Sequence, residues 1–271
     1  MNPALPTTAL IGFGEAGSTF ARAGGWGESA AAWDLVAARR TLAQDCGLRG
    51  AAQASEAIGG ARLVLSLVTA DQALPAARAY AALLEPGALW CDMNSVAPQT
   101  KRAAAETIAA AGGRYVDVAV MAPVDPAALS VPLLLAGGDA EEALALFEIL
   151  GFAKGRIVGG EVGRASAIKM IRSVMVKGIE ALTDEMMAAA EAAGVAQEVL
   201  ASLDASEIAQ GWQERAAYSR ERMATHGLRR AAEMEESAAT LQALGVEPVM
   251  TLGTVRRQRA AAIAAKDEDA A

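Results

Sequence analysis

The first 160 residues of this 271-residue chain alternate short apolar runs with longer stretches of helical character. The apolar runs have the length of β-strands and occur at residues 9–14, 30–34, 61–68, 88–94, 114–120, 131–137 and 155–158. Strands that alternate with helices predict βαβ units, and therefore a mostly parallel sheet. The pattern predicts an α/β domain over residues 1–162.

The strand pattern stops at Gly163, and the remaining sequence has the character of helices. A long helix is expected over residues 164–193 and is ended by Gly194, because glycine readily adopts the left-handed conformation that closes a helix. Further helices are expected at about 196–204, 206–225, 228–244 and 247–265, with breaks at Gly227 and at 245–248. We therefore expect an all-helical domain over 163–265, joined to the first domain by the long helix, and a frayed tail over 266–271.

Composition excludes several classes of function. A net charge of −8 argues against nucleic acid or an anionic membrane as a partner, since either would favour a basic surface. Two cysteines and one histidine are too few for a disulfide framework or a zinc site, so no metal is expected. The N-terminus lacks the features of a signal peptide, and the longest nearly uncharged stretch, 118–138, contains Asp125 and three prolines. These features predict a soluble cytoplasmic protein.

The glycine-rich turn that follows the first apolar run has the spacing of a dinucleotide fingerprint. It reads Gly12-Phe13-Gly14-Glu15-Ala16-Gly17 and opens a helix, which is the context that G-x-G-x-x-G requires. Gly12 allows the tight turn, Gly14 lets the backbone approach a pyrophosphate, and Gly17 lets helix and strand pack closely. The turn predicts a Rossmann-type domain with a dinucleotide bound at the helix N-terminus.

Asp34 supplies the second element of this fingerprint. It ends the next strand about 20 residues further on, where a carboxylate accepts hydrogen bonds from the adenosine ribose hydroxyls. A carboxylate repels a 2′-phosphate, so Asp34 favours NAD; Arg39 and Arg40 lie close enough in sequence that NADP is not excluded. The alternative interpretation is a glycine turn followed by a helix-capping aspartate.

Nearly the whole chain resembles the β-hydroxyacid dehydrogenases, the group that includes 3-hydroxyisobutyrate and 6-phosphogluconate dehydrogenases. Imine reductases share the architecture of that group. Besides the glycine turn, Leu67-Val68-Thr69 resembles the nicotinamide-side loop, residues 92–98 resemble the D-x-S-T-x-x-P segment, and residues 163–169 resemble the glycine-rich linker into the lysine motif. Residues 226–236 resemble a less characterised C-terminal domain that is fused to such cofactor domains. The resemblance implies a nicotinamide cofactor near Leu67, Val68, Thr69 and Asn94, with substrate near Ser95, Met121 and Ser173.

Two positions depart from that family. The segment that usually reads S-G-G and holds the substrate carboxylate is Met121-Ala122-Pro123, and the asparagine four residues after the lysine is Ser173. Methionine cannot donate a hydrogen bond as serine does, and serine reaches less far than asparagine. We therefore expect a substrate that differs from the usual small β-hydroxy acid, while the hydride chemistry is retained.

Lys169 has two interpretations. On a helix it shares one polar face with Ser166, Ser173, Lys177, Glu180 and Asp184, opposite the apolar residues Ile168, Ile171, Met175, Ile179, Leu182 and Met186. The pattern by itself is typical of a solvated stripe. Hydride transfer to or from an alcohol, however, needs a group that takes or gives the hydroxyl proton, and a partly desolvated lysine beside a cationic nicotinamide releases its proton readily. With the family motif, Lys169 is predicted to be the general acid/base.

The helical half offers weaker candidates. His226 precedes Gly227 at an expected helix boundary, where it either caps or is solvated, or else lines the substrate cleft. Arg229 and Arg230 either bind an anionic substrate group or are solvated. We expect an NAD(P)-dependent oxidoreductase acting on a hydroxy or oxo carboxylic acid in the cleft between the two domains, assembled as a homodimer. The alternatives are an imine reductase and a non-catalytic dinucleotide-binding protein, which would not need Lys169.

Overall fold

The computed structural model describes residues 4–206 and 211–269, which form two compact units that divide between Ser173 and Val174. The strands of the first unit are β1 Thr8–Ile11, β2 Ala30–Trp33, β3 Leu63–Ser66, β4 Leu89–Asp92, β5 Arg114–Val120, β6 Leu133–Ala136 and β7 Gly155–Gly159. Its helices are α1 Glu15–Gly24, α2 Ala37–Asp45, α3 Ala54–Ile58, α4 Ala73–Tyr80, α5 Pro98–Ala110 and α6 Ala140–Ile149. Helix α7, Arg164–Ala192, begins in the first unit and continues into the second.

The seven strands form one sheet in the order β2-β1-β3-β4-β5-β6-β7. Every neighbouring pair is parallel except β5 and β6, so the predicted mostly parallel sheet is confirmed. Strand β1 has β2 on one side and β3 on the other, which is the switch point where α/β sheets of this kind bind ligands at the carboxyl ends of their strands.

Apolar residues bury both faces of the sheet. In β3, Leu63 and Leu65 belong to one buried cluster, and Val64 between them belongs to another. Successive side chains of a strand point to opposite faces, so a continuous apolar run is what a strand covered by helices on both sides requires. This explains why the strands are recognisable in the sequence as uninterrupted apolar runs.

The second unit is helical, as predicted, and contains the end of α7 together with α8 Ala196–Ser206, α9 Trp212–Ala243 and α10 Val249–Asp269. The predicted break at Gly227 is wrong, because α9 passes through it without interruption. A Cβ at position 227 would overlap the carbonyl oxygen of Gln258 and lie 3.0 Å from Cβ of Ala262. The glycine therefore permits α9 and α10 to approach closely and does not end a helix.

Other features expected of these helices also differ in the structure. His226 lies in the middle of α9 with its side chain exposed, so it is not at a helix boundary. The helix expected from 206 begins at Trp212 in the structure, and residues 207–210 lie outside the described ones. Helix α10 reaches Asp269, past the expected end at 265; the side chains of the expected tail over 266–271, and the backbone of its last two residues, lie outside the described part.

None of the described helices combines the length and the hydropathy that a membrane span requires. Within the same described residues, no group of three or more His, Cys, Asp and Glu side chains has the arrangement of a metal site.

Candidate functional site

The glycine turn after β1 is shaped by contacts that only glycine allows. Gly12 has a φ of +90°, and a Cβ there would lie 2.5 Å from the carbonyl oxygen of Leu67. A Cβ on Gly17 would lie 2.9 Å from the carbonyl oxygen of Gly12, so this glycine lets α1 pack against the turn. At Gly14, by contrast, the nearest atom is Nη1 of Arg39 at 3.9 Å. The backbone at Gly14 is thus open to a ligand, as the fingerprint requires.

The start of α1 is suited to an anionic group. Its first backbone hydrogen bond runs from the N–H of Ser18 to the carbonyl of Gly14 at 3.0 Å, and no side chain caps this end of the helix. The N–H groups of Glu15, Ala16 and Gly17 precede that bond and have no partner within the helix. Such N–H groups, together with the helix dipole, favour a phosphate.

A cleft of about 550 Å³ opens beside this turn, a size typical of small-molecule sites. Eight of the predicted cofactor residues line it: Gly12, Gly14, Glu15, Ala16, Asp34, Leu67, Val68 and Thr69. Its remaining walls include Trp33, Arg39 and residues of α4 such as Pro75, Ala76 and Tyr80. Phe13 and Gly17 are buried behind the turn instead, and the ring of Phe13 belongs to the core. The fit to a dinucleotide therefore rests on open backbone at the turn and on a largely apolar cleft.

Asp34 faces this cleft but already binds donors of its own chain. Its side chain is 7% exposed, and its Oδ2 and Oδ1 accept hydrogen bonds from the N–H groups of Phe13 and Val36, each at 2.8 Å. Nη1 of Arg39 lies 3.4 Å from Oδ2. A carboxylate has about four lone-pair positions, so three such donors still leave one for a ribose hydroxyl. Asp34 thus also fixes the glycine turn to the end of β2, a role that the sequence did not reveal.

The two arginines after Asp34 differ in position. The guanidinium of Arg40 lies 4.8 Å from the ring centroid of Trp33 and donates to the carbonyls of Asp34 and Leu35. Arg39 is 49% exposed and lines the cleft. Arg39 is therefore the cation that a 2′-phosphate in this cleft would meet.

A second set of predicted residues meets beyond the carboxyl end of β4. Nζ of the half-buried Lys169 donates a hydrogen bond to Oγ of the exposed Ser95 at 2.5 Å. Asn94, the residue before Ser95, is buried, and its Nδ2 donates to Oγ of Ser66, the last residue of β3, at 2.9 Å. The structure thus brings Lys169, Ser95 and Asn94 together at the edge of the sheet where the cleft also opens.

The other predicted substrate residues are less closely associated. Met121 packs against a small cluster that includes Ala165 at the start of α7. Ser173 lies one helical turn after Lys169 and is half-buried. His226 is exposed on α9 and belongs to the second unit.

A buried ionic network beneath these residues was missed at the sequence level. Lys101 of α5 is fully buried, and its Nζ lies 3.0 Å from Oδ1 of Asp92 and 3.3 Å from Oδ1 of Asp117. Oδ2 of Asp92 accepts a hydrogen bond from the hydroxyl of Tyr115 at 2.7 Å. Burial, with the neighbouring Asp92 carboxylate, raises the pKa of Tyr115 well above its usual value, so the phenol stays a neutral donor.

The network holds the first turn of α7. Oδ2 of Asp117 accepts hydrogen bonds from the N–H groups of Gly163 and Ser166, at 3.1 Å and 2.9 Å. An acidic side chain at a helix N-terminus is stabilised by the unpaired N–H groups and the helix dipole. Because Lys169 lies one turn further along α7, the network positions the lysine. The sequence offered one signal, an aspartate within each of two strand-like runs, Asp92 in 88–94 and Asp117 in 114–120; the structure then pairs these two residues across β4 and β5. Lys101 has the appearance of an ordinary surface lysine of a helix.

Each half of the chain matches a known protein family. Residues 7–162 match the NAD binding domain of 6-phosphogluconate dehydrogenase, and residues 190–261 match a domain of unknown function, DUF1932. A conserved hypothetical protein from Sinorhizobium meliloti 1021 is 38% identical, covers 98% of this chain and 91% of its own, and superposes with a TM-score of 0.63.

Two enzymes share the fold at lower identity. The 3-hydroxyisobutyrate dehydrogenase of Mycobacterium tuberculosis is 20% identical over 77% of this chain and 72% of its own, with a TM-score of 0.64. An imine reductase from Myxococcus stipitatus, solved with NADP⁺, is 20% identical over 96% of this chain and 95% of its own, with a TM-score of 0.76. A variant of that reductase has been solved with NAD⁺.

Proposed function

The chain belongs to the family of the NAD-binding domain of 6-phosphogluconate dehydrogenase, and we propose that it transfers a hydride between a nicotinamide dinucleotide and a hydroxy or oxo carboxylic acid. The observation that carries this proposal is the 2.5 Å hydrogen bond between Lys169 and Ser95 at the carboxyl edge of the sheet. A non-catalytic dinucleotide-binding protein would need the glycine turn but not a lysine held at this place.

The cleft at the turn would hold the dinucleotide. The N–H groups of residues 15–17 would bind its pyrophosphate, Asp34 its adenosine ribose, and the loop of Leu67, Val68 and Thr69 would lie toward its nicotinamide. When bound, the nicotinamide supplies the hydride acceptor or donor. The preferred form in this proposal is NAD, because the Asp34 carboxylate repels a 2′-phosphate.

Lys169 would handle the proton. As the substrate's carbon–hydrogen bond gives up its hydride, Lys169 would take the hydroxyl proton and the carbon–oxygen bond would become a carbonyl; reduction would run in reverse. Ser95 holds Nζ in place, and the ionic network of Lys101, Asp92 and Asp117 fixes the helix that carries it. Preorganisation of this kind keeps the proton acceptor within hydrogen-bond reach of the substrate oxygen.

The substrate in this proposal is larger or less typical than hydroxyisobutyrate. Met121 offers no hydrogen bond to a carboxylate, and Ser173 reaches less far than the asparagine common in the family. The fold shared with an imine reductase over 96% of this chain makes C=N compounds the second candidate.

A substrate screen tests the proposal. Purified protein is incubated with NAD⁺ or NADP⁺ and panels of hydroxy acids, diols and amines, and formation of reduced nicotinamide is followed by absorbance. We expect hydroxy acids to be oxidised. Oxidation of amines but not of hydroxy acids would favour the imine reductase, and cofactor binding without turnover of any panel would favour the non-catalytic alternative.

A further inference from the structure

A second polar pocket lies within the helical unit. It has a volume of about 280 Å³, close to the lower limit for small-molecule sites. Five of its lining residues come from α9, namely Tyr218, Ser219, Arg222, Met223 and Arg230, and α10 contributes Gln258. The pocket is distinct from the dinucleotide cleft, with which it shares no residue.

Two buried polar atoms at this pocket have no hydrogen-bond partner among the described residues. They are Nε of Arg222 and Oε1 of Gln258. Gln258 is only 7% exposed, and its Oε1 lies buried in the wall of the pocket. An unpaired buried polar group costs free energy, and most such groups in native proteins are satisfied by a partner. The pair therefore indicates that a ligand completes the site.

The guanidinium of Arg222 is held in a defined orientation. Its Nη1 donates to the hydroxyl of Tyr218 at 2.6 Å, and its central carbon lies 5.4 Å from the centroid of that ring. A guanidinium that is fixed in this way loses little conformational entropy when it binds a ligand. Gly227 contributes indirectly, because it lets α10 approach α9 closely enough to bring Gln258 to the pocket.

The charge of the pocket selects the chemistry of its ligand. Arg222 and Arg230 both line it, and none of the described residues that line it carries a carboxylate, although the protein as a whole has a net charge of −8. Guanidinium groups bind carboxylates through strong, directional hydrogen bonds. Oε1 of Gln258 requires a donor in addition. The ligand must therefore present an acceptor anion and a hydrogen-bond donor close together.

We propose that this pocket binds a small carboxylate that carries a neighbouring hydroxyl group. The carboxylate pairs with Arg222 and Arg230, and the hydroxyl donates to Oε1 of Gln258. This assignment does not depend on the proposed oxidoreductase reaction, because the pocket shares no residue with the dinucleotide cleft. Binding to the pocket is therefore expected in the absence of cofactor.

Calorimetric titration of the full chain without cofactor tests this proposal. The probes are L-lactate and L-malate, each compared with the acid of the same skeleton that lacks the hydroxyl, propionate and succinate respectively. We expect at least one hydroxy acid to bind about 10-fold more tightly than its analogue, the worth of one hydrogen bond in a buried site. Equal affinity within both pairs, or no binding of any probe, would overturn the proposal.

Variants locate the binding to this pocket. Arg230→Gln should lower the affinity for the hydroxy acid about 10-fold or more, since a charged hydrogen bond is lost. Arg229→Gln is the matched control, because it removes the same charge from the preceding residue of α9, which is exposed and does not line the pocket. It should change affinity less than about 2-fold, because exposed charges are screened. Gln258→Met should remove the preference for the hydroxyl while both acids still bind.

Three results would contradict the assignment: full affinity in Arg230→Gln, equal losses in Arg229→Gln and Arg230→Gln, or an unchanged hydroxyl preference in Gln258→Met. Circular dichroism of each variant establishes that it is folded before titration. Turnover in the substrate screen reports on the cofactor site, so failure of the pocket and failure of the proposed reaction give different patterns.

Discussion

At the scale of single residues, the proposed chemistry depends on Lys169. Its half-buried position against Ser95 is unlike that of Lys177, which is exposed two turns further along the same helix. In the solvated-stripe interpretation the two lysines are equivalent. In the catalytic interpretation only the first of them exchanges a proton with the substrate.

We predict that Lys169→Ala lowers kcat by about 10²–10⁴-fold, the usual contribution of general acid–base catalysis. NAD affinity should be retained, because the residues of the cleft are unchanged. Lys169→Arg should be similarly impaired, since a guanidinium keeps its proton at any working pH. Steady-state kinetics on the best substrate of the screen, with Lys177→Ala as control, measures this. Turnover in Lys169→Ala equal to that of the control would return Lys169 to the solvated stripe.

The choice between NAD and NADP is also a prediction at the scale of single residues. In the proposed function Asp34 would disfavour a 2′-phosphate, and Arg39 is the exposed cation beside it. We predict that the wild-type protein binds NAD(H) more tightly than NADP(H). Arg39→Gln should lower the affinity for NADP(H) about a further 10-fold, because a charged hydrogen bond to the phosphate is lost. NAD(H) affinity should stay nearly constant.

Fluorescence titration with both cofactors checks this prediction. Arg40→Gln serves as the control, because Arg40 is stacked on Trp33 and bound to backbone carbonyls, and should leave the cofactor ratio unchanged. A wild-type preference for NADP(H) would refute the role given to Asp34.

At the scale of the elements, the network of Lys101, Asp92 and Asp117 joins β4, α5, β5 and the start of α7. Lys101 is the one cation between two fully buried carboxylates among the contacts that the structure describes. Removal of one partner leaves buried charges uncompensated.

We therefore predict that Lys101→Met lowers the free energy of unfolding of the first unit by about 3–5 kcal/mol. Lys154→Met removes an exposed lysine from the same unit and should change it by less than about 0.5 kcal/mol. Urea denaturation followed by tryptophan fluorescence measures both. A loss in Lys101→Met no larger than in Lys154→Met would show that the network contributes little to stability.

At the scale of the whole molecule, α7 leaves large apolar side chains in solvent. Ile171 and Val174 are 73% and 75% exposed, and Met175, Ile179 and Leu182 are exposed as well. A run of exposed apolar residues this long is typical of an interaction surface. A second copy of the chain that covers this surface would bury it symmetrically.

We predict that light scattering at micromolar protein concentration gives twice the mass of one chain. Val174→Glu should shift the protein toward monomer, because a charge would be buried in the interface. Lys177→Glu, also on α7 but on its polar face, should leave the dimer intact. A monomer mass for the wild-type protein would disprove this assembly.

The sequence alone determined those features that depend only on residues close to one another along the chain. Uninterrupted apolar runs such as 63–66 specify strands buried on both faces, and the Gly12–Gly17 turn specifies a backbone that only glycine allows. Both signals arise from local geometry, so the α/β order and the cofactor turn could be predicted.

Only the tertiary structure decided what depends on residues distant in the chain. Gly227 was predicted to break a helix, and its actual role depends on Gln258, a residue of the next helix that packs against it. Lys101 is an ordinary helix lysine until strands β4 and β5 place Asp92 and Asp117 around it. The physical reason is that burial and charge pairing are properties of the folded neighbourhood, whereas propensity and backbone strain belong to a short segment of chain.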